Sequence, residues 1–490
     1  MKSNITIEPL SKEELDKAFK PTKKPEVMEE QNLWVRYNVE HPYMKDRPRK
    51  FLEAFAAILK NNPSYRQALD HYIKVSAKCS RCTVQCQIYQ ATRDPNDIPC
   101  KRSELLLYVY RRHFTLAGAA RGRLLGEPGL DDDMIKEMAE SLWNCTACRR
   151  CMMECPMGID HGLITHLGRY ILSEIDISPR ALVVSTREQL EGKTKNTSAI
   201  PLPALEDTLE FLEEDMEEEK GVEIKFPLDV ENCEFVFFPA VSDFLMEADT
   251  LMGNAAVFTA TGDSWTIGKK YYDGINYGLF YSDRMWDRVV KMVDAETRRL
   301  RGKKIMIGEC GHASRSAKVG IPMFCGGKNA LQVVNCMEYA WEMLEKGKLQ
   351  LDPNVVTETV TYHDPCNIAR SGWIIDKPRE ILRAFCKNFI DMKPSGRNNI
   401  CCGGGGGTVS IDEIRPYRTS VGGALKAEQL RETGAKYVVA PCANCKKQLR
   451  ELVEDQHLDC EIVGLHDLMY KAIIFPEHLK KIDLSNKATR

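Results

Sequence analysis

The stretches HDPCN (363–367), ICCGGGGG (400–407) and APCANCKK (440–447) decide how this chain of 490 residues must fold. They carry five thiols, Cys366, Cys401, Cys402, Cys442 and Cys445, within eighty residues. No four lie close enough in sequence to form one short metal knuckle, so tertiary structure has to gather them. Neighbours such as Cys401 and Cys402 strain badly as a mutual disulfide but serve well as ligands, which points to a metal cluster rather than a single ion. The glycines at 403–407 allow backbone N–H groups to approach an anionic group, and such donors would tune cluster sulfurs. They do not form a phosphate loop, because no Gly-Lys-Ser/Thr closes the run.

A second cysteine-dense region lies upstream. Cys145, Cys148, Cys151 and Cys155, followed by Pro156, read C-x2-C-x2-C-x3-C-P. This is the run by which bacterial ferredoxins hold [4Fe-4S] clusters, the fourth cysteine reaching across to the other cluster. Zinc ribbons also use C-x2-C pairs, but the third cysteine and the trailing proline favour iron–sulfur. Cys79, Cys82 and Cys86 read C-x2-C-x3-C, with Cys100 further on. The preferred assignment gives Cys79, Cys82, Cys100 and Cys155 to one cubane cluster, and Cys145, Cys148, Cys151 and Cys86 to the other.

The order Cys, Cys-Cys-Gly, Cys-x-x-Cys resembles the cysteine-rich CCG domain of heterodisulfide reductases. CSRCTVQCQIYQATRDP (79–95) resembles the N-terminal motif of iron–sulfur subunits that join a ferredoxin module to CCG domains. Those include the heterodisulfide reductase D type, the anaerobic glycerol-3-phosphate dehydrogenase C type and the DsrK type of the complex associated with sulfite reduction. A single intact CCG motif is most similar to the DsrK type. The resemblance implies a third, catalytic [4Fe-4S] cluster, cubane or non-cubane, on the five CCG-region cysteines, at which a disulfide is reduced or formed. It also implies a membrane haem b or quinol-oxidising partner of the DsrM type, further subunits of the complex, and a DsrC-like sulfur-carrier protein as substrate.

Composition bounds these readings. Nineteen cysteines cluster in C-x2-C units rather than spreading as a disulfide framework, which favours metal in a reducing compartment. A formal charge of −2 gives no electrostatic argument for nucleic acid. The start, MKSNITIEPLSKEE, lacks an apolar signal core, and no stretch reaches the ~18 apolar residues that span a bilayer. A cytoplasmic protein, peripheral on the membrane through a partner, is expected.

The chain is expected to be an α+β multidomain protein: a helical ferredoxin-like module with two [4Fe-4S] clusters, then a duplicated α/β CCG domain with a degenerate first copy. Residues 1–70 read as an extension with amphipathic helices and a possible partner contact, 71–185 as the dicluster module, and 186–230 as an acidic linker. Residues 231–350 read as the degenerate repeat, 351–475 as the intact repeat and 476–490 as a tail. In the linker, nine of the fourteen positions 206–219 are acidic, while Leu205, Leu209, Leu212 and Met216 keep a helical spacing. CEFVFFPA, KKIMIGEC, VTYHDPC and AKYVVAPC read as strands whose ends carry site residues or their counterparts. FFPAVSD, TATGDSWTIGKK and GECGHA run in the same order as YHDPCN, ICCGGGGG and APCANC. On that alignment only Cys310 keeps a thiol, opposite Cys442, and Ala240 stands for Cys366.

His363 and His312 are the nearest candidates for proton delivery. Lys446, Lys447 and Arg450 are candidates for stabilising negative charge. Cys310 is the extra thiol to watch: as the counterpart of Cys442 it either faces the cluster or packs as a core cysteine. Cys233, Cys325, Cys336, Cys386 and Cys460 lack ligand spacing and read as core. The competing functions are an iron–sulfur subunit of a lactate, glycolate or glycerol-3-phosphate oxidising complex that feeds quinone, and a non-catalytic metal-binding scaffold.

Overall fold

A computed structural model describes residues 46–480. The expected extension before residue 46 and the end of the tail after residue 480 lie outside the described residues.

The first half of the described chain is helical. Pro63 begins a new helix directly after Asn62, so the amphipathic region ahead of the first cysteine forms two helices, Arg47–Asn61 and Pro63–Val75. Further on, the helices Pro99–Phe114 and Leu116–Leu125 are separated at Thr115, whose hydroxyl accepts from the Gly118 N–H and starts the second. Asp131 caps Asp132–Asn144, and Asp160 accepts from two backbone N–H groups at the start of His161–Ser173. Phe51, Phe55, Leu106, Met138, Leu142 and Leu167 are among the residues filling the core these helices share.

Two four-stranded parallel sheets follow. The first consists of β1 (Phe235–Phe238), β2 (Trp265–Thr266), β3 (Lys304–Ile307) and β4 (Gln332–Asn335), in the order β2-β1-β3-β4. The second consists of β5 (Val356–Tyr362), β6 (Cys386–Phe389), β7 (Tyr437–Val439) and β8 (Glu461–Val463), in the corresponding order β6-β5-β7-β8. All pairings are parallel. Ala240 follows β1, Cys310 follows β3, Cys366 follows β5 and Cys442 follows β7, so the four site-bearing loops leave carboxyl ends of strands.

One apolar core joins both sheets, running from Val236 and Ile305 to Val360 and Val439. Helices Ala248–Thr261 and Leu465–Ala472 approach so closely that a Cβ on Gly253 would meet the His466 carbonyl oxygen at 2.2 Å. Only glycine permits that contact.

The acidic linker expected at 186–230 is largely helical. Helices Arg180–Glu191 and Leu202–Lys220 occupy much of it. Leu205, Leu209, Leu212 and Met216 are buried in the core of the sheets, and the acidic residues occupy the remaining faces. Burial of four large apolar side chains outweighs the cost of crowding charges that water still screens.

Candidate redox site

The two cysteine runs of the helical module have the same backbone. In each, a left-handed residue precedes one cysteine and another follows it: Lys78 and Ser80 flank Cys79, and Ala147 and Arg149 flank Cys148. Each run then winds into a short 3-10 turn, Arg81–Gln85 or Arg150–Glu154. The equivalence pairs Cys79, Cys82 and Cys86 with Cys148, Cys151 and Cys155, and it sets Ser76 opposite Cys145. Cys100, at the start of the helix Pro99–Phe114, lies against Cys82. Burial pushes the Cys151 thiol up, and the thiols facing it are Cys148, Cys86 and Cys145. The same four cysteines line one cavity. Cys155 Sγ accepts from the Ile159 N–H at 3.4 Å, and Cys79 is exposed.

The second group of thiols meets the first across the boundary between helical and sheet regions. Cys148 lies in hydrogen-bonding contact with Cys401. From Cys401 the contacts continue to Cys366 and Cys402, from Cys402 to Cys445, and from Cys445 to Cys442. Cys310 ends the group, against Cys442. All five CCG-region cysteines are buried.

Four side chains or loops hold this junction. The Gln87 amide bonds the main chain of Cys401, and the Arg370 guanidinium donates to the Cys148 carbonyl at 2.8 Å and to that of Arg397 at 2.6 Å. Fully buried Arg169 donates to the carbonyls of Leu142, Cys145 and Gly406. The glycine run serves the same junction. A Cβ on Gly405 would stand 2.4 Å from the Thr146 carbonyl oxygen and 3.4 Å from Cys401 Sγ, so the run's lack of side chains lets two cysteine loops touch.

His363 and the thiols of Cys402 and Cys445 offer ligand atoms all within 4.8 Å of one another. The imidazole of His363 faces the Cys402 thiol. Burial and the neighbouring Lys426 lower its pKa, so the neutral imidazole is the favoured form. Buried, convergent thiols are the donor chemistry by which iron–sulfur clusters are held. His312 is also buried, stacked on Tyr277 at 5.8 Å, with Nδ1 3.2 Å from Cys310 Sγ. Burial lowers its pKa to about 4.

Residues 77–159 match the model of the 4Fe-4S dicluster domain and residues 360–450 that of the Cysteine-rich domain CCG. The chain is 26% identical over 469 residues to an Hdr-like menaquinol oxidoreductase iron-sulfur subunit 2 of Archaeoglobus fulgidus, covering 86% of this chain and 83% of that one. It is 21% identical to a subunit of the dihydromethanophenazine:CoB–CoM heterodisulfide reductase of Methanosarcina barkeri, over 81% of this chain and 93% of that one. A probable membrane-anchored ferredoxin of Chromohalobacter salexigens is 26% identical over 77% of this chain and 56% of its own length. The chain is a heterodisulfide reductase-like oxidoreductase subunit.

In this heterodisulfide reductase-like subunit the expected cations turn away from the thiols. Lys446 is buried against Glu247 at 2.9 Å and Thr250 at 2.5 Å, Arg450 pairs with Glu247, and exposed Lys447 reaches Asp412 at 3.0 Å. The cation facing the sulfurs is instead Lys426, on helix Ala424–Thr433. It is buried, it contacts Met392 Sδ at 3.5 Å, and burial lowers its pKa to about 8 against the attraction of Asp364, Cys402, Cys401 and Cys445. Nothing in the spacing of GGALKAEQL marks Lys426, because its burial is decided by which face of its helix the second sheet covers.

The neighbouring Asp364 is a scaffold residue. Its carboxylate takes both arms of the Arg379 guanidinium, at 2.9 and 2.6 Å, and the Gly396 N–H at 2.7 Å. These bonds fix the loop that carries His363 and Cys366. Of the thiols read as core, Cys233, Cys336 and Cys386 are buried away from the chain of contacting sulfurs, while Cys325 and Cys460 are partly exposed. Among the described residues, no helix is long and apolar enough to cross a membrane.

Proposed function

We propose that this subunit passes electrons from a membrane quinol- or haem b-bearing partner through two [4Fe-4S] clusters to a third cluster at Cys366, Cys401, Cys402, Cys442 and Cys445. There a disulfide is reduced or, with the flow reversed, formed. The carrying observation is the contact between Cys148 and Cys401, which puts the end of the ferredoxin-type thiol group against the beginning of the CCG group.

In this reading one cubane cluster belongs to Cys79, Cys82, Cys100 and Cys155, and the other to Cys145, Cys148, Cys151 and Cys86. The repeated backbone of the two runs supports the partition, since it makes Cys86 and Cys155 the cysteines that cross over. The sheet domain is a duplication whose first copy kept only Cys310. The shared strand order and the positions of Cys310 and Cys442 after β3 and β7 support this.

When bound, the clusters supply one-electron carriers and, at the CCG site, iron with affinity for sulfur. The chain's residues supply the rest. Reduction of one S–S bond consumes two electrons and two protons and yields two thiols, so the buried site needs proton carriers. His363, against Cys402 and Cys445, and His312, against Cys310, take that role. Lys426 offsets the negative charge of the thiolates from within the protein.

The substrate in this reading is a protein-borne disulfide or trisulfide of the DsrC sulfur-carrier type. The membrane partner is a haem b subunit of the DsrM type, and the chain sits peripherally on the cytoplasmic face. The Archaeoglobus relative's name as a menaquinol oxidoreductase subunit supports quinol as the source of electrons.

The test is iron and sulfide content with EPR on anaerobically purified protein, oxidised with and without thiol. About twelve irons and a thiol-dependent paramagnetic signal are expected for three four-iron clusters. About eight irons without a thiol response would reduce the subunit to an electron conduit. Bound zinc in a colourless protein would make it a scaffold.

A further inference from the structure

Helix Gly311–Phe324 starts at the sulfur site and leads out of it. A Cβ on Gly311 would stand 3.4 Å from Cys442 Sγ. Twelve residues on, at about 1.5 Å each, the helix has travelled about 18 Å. Positions four apart share one face, and on that face Arg315 is half-buried, Val319 is 46% exposed and Met323 is 53% exposed. The chain leaving Cys366 runs alongside. Asn367 Oδ1 accepts from Arg315 Nη1 at 3.2 Å. Trp373 is 64% exposed and held in the left-handed region at φ 59°, with the Arg397 guanidinium 5.9 Å from its ring. A bulky residue held there marks a constrained position. Cys366, at 8%, is the most exposed of the five CCG-region thiols. These two segments meet beside Cys366, where Arg315 reaches Asn367.

Arg315 has no carboxylate partner among the described residues. Asp160, the nearby acid, pairs with Arg149 at 3.2 Å. Burial and the like charge of Arg149 lower the Arg315 pKa to about 9, with Asp160 and Cys366 acting in the opposite sense. The Arg315 guanidinium, with no carboxylate paired to it and the most accessible thiol beside it, is complementary to an anion arriving with the substrate.

We propose that Arg315 binds a carboxylate of the disulfide substrate, within a few bonds of its sulfur, while Val319, Met323 and Trp373 receive the rest of the molecule. This rests on the disulfide chemistry proposed above. The carboxylate can belong to a small dithio acid or to a polypeptide ending near its cysteine, and both present the same group to Arg315.

The experiment is titration calorimetry on the anaerobic, iron-loaded protein with three disulfides: 3,3′-dithiodipropionate, neutral 2-hydroxyethyl disulfide and cationic cystamine. The dianion is expected to bind at least about tenfold more tightly than the other two, the scale of one charge-assisted pair. Arg315→Gln should level the three, and Arg315→Lys should retain part of the preference, with iron content unchanged in both. Equal binding by the unsubstituted protein, or a preference that survives Arg315→Gln, overturns the proposal. Because binding needs no turnover, a protein that binds the dianion through Arg315 yet reduces no disulfide would refute the catalytic reading alone. The disulfide of a short peptide ending in cysteine separates the two sources. Tighter binding than dithiodipropionate, with the gain lost in Val319→Ser/Met323→Ser, supports a polypeptide on the exposed face. Equal binding overturns that face's part in the proposal.

Discussion

The side chain of Gln87 holds the main chain of Cys401 from both sides. Its Oε1 accepts from the Cys401 N–H at 3.0 Å, and its Nε2 donates to the Cys401 carbonyl at 3.4 Å. The same amide nitrogen reaches the Gly422 carbonyl. Gln87 directly follows Cys86, so one buried side chain ties a cysteine of the ferredoxin-type cavity to the first cysteine of the Cys-Cys-Gly motif. Every polar atom of that amide is used across the boundary. The relative position of the two thiol groups is consequently set by hydrogen bonds whose geometry tolerates little drift.

Replacing Gln87 tests this coupling. Gln87→Ala strands the buried N–H of Cys401, at a cost of about 1–3 kcal/mol for an unmade bond. Thermal stability should fall accordingly, and electron transfer between the two cluster groups should slow more than reduction of the first group by an external dye. Gln87→Glu keeps the acceptor for Cys401 N–H and should restore part of the transfer rate. Stopped-flow absorbance with a viologen donor measures both steps. Equal slowing of the two would assign the effect to somewhere outside the junction.

The glycine run makes a second, steric prediction. A Cβ at position 405 meets the Thr146 carbonyl oxygen at 2.4 Å, and neither partner is a flexible side chain. Gly405→Ala must push the Cys401 loop from the Cys145–Cys148 loop, at a cost of about 1–3 kcal/mol for overpacking. Gly434→Ala is the control, since it has a positive φ, 56°, but nothing lies within 4 Å of the added Cβ. The Gly405 variant should lose inter-cluster electron transfer, whereas the Gly434 variant should lose only the cost of its backbone conformation. Retained transfer in the Gly405 variant would show that the loops do not need this contact.

The thiols and the strands that deliver them were legible in the sequence, since FVFF, KIMI, VTETVTY and YVV each form a β-strand ahead of a site loop. Short partners such as Trp265–Thr266 and Glu461–Val463 were not, because two or three residues carry no measurable alternation. The helical spacing of Leu205, Leu209, Leu212 and Met216 was legible among the acidic residues, whereas the core that this face packs into was not. Lys446 and Lys426 show the same limit for charge. The lysine next to Cys445 turns to Glu247, while the one far from any cysteine in sequence faces the sulfurs. Proximity along the chain identifies ligands in a C-x2-C unit, but only tertiary packing decides which cation shares their space. The glycines at 403–407 were recognised as a device for close approach, yet one group approached is the protein's own Thr146 carbonyl.

Asp273 gives a stability prediction with a defined pH window. Its carboxylate is buried and accepts from the Thr197 N–H and hydroxyl at 2.8 Å and from the Ile275 N–H at 2.8 Å. Burial nevertheless dominates and raises its pKa from 3.8 to about 6. The folded form therefore holds this proton more tightly than the unfolded chain. Its contribution is fully present below about pH 4 and is lost as the pH rises through about 6, on the order of 3 kcal/mol in total. Asp273→Asn cannot ionise, so the difference in melting temperature between the two proteins should change between pH 4 and 6 and stay constant from 7 to 8. A difference independent of pH would assign the titration elsewhere.

Lys426 makes the sharpest electrostatic prediction. Its ammonium is buried with Asp364, Cys402, Cys401 and Cys445 as the groups that attract it, so its charge acts through protein rather than through water. A positive charge in that position favours the more negative, reduced state of any centre those thiols hold. Lys426→Met preserves most of the volume and removes the charge. The CCG-site signal in an EPR redox titration should then move to more negative potential, while the signals of the Cys79–Cys155 ligand sets should shift much less, because the thiols that attract Lys426 are Cys402, Cys401 and Cys445. Lys426→Arg keeps the charge and should leave the potential near its original value if the protein accommodates the larger head. A uniform shift of all signals in the methionine variant would indicate a general loss of packing, and no shift would remove Lys426 from the electrostatics of the site.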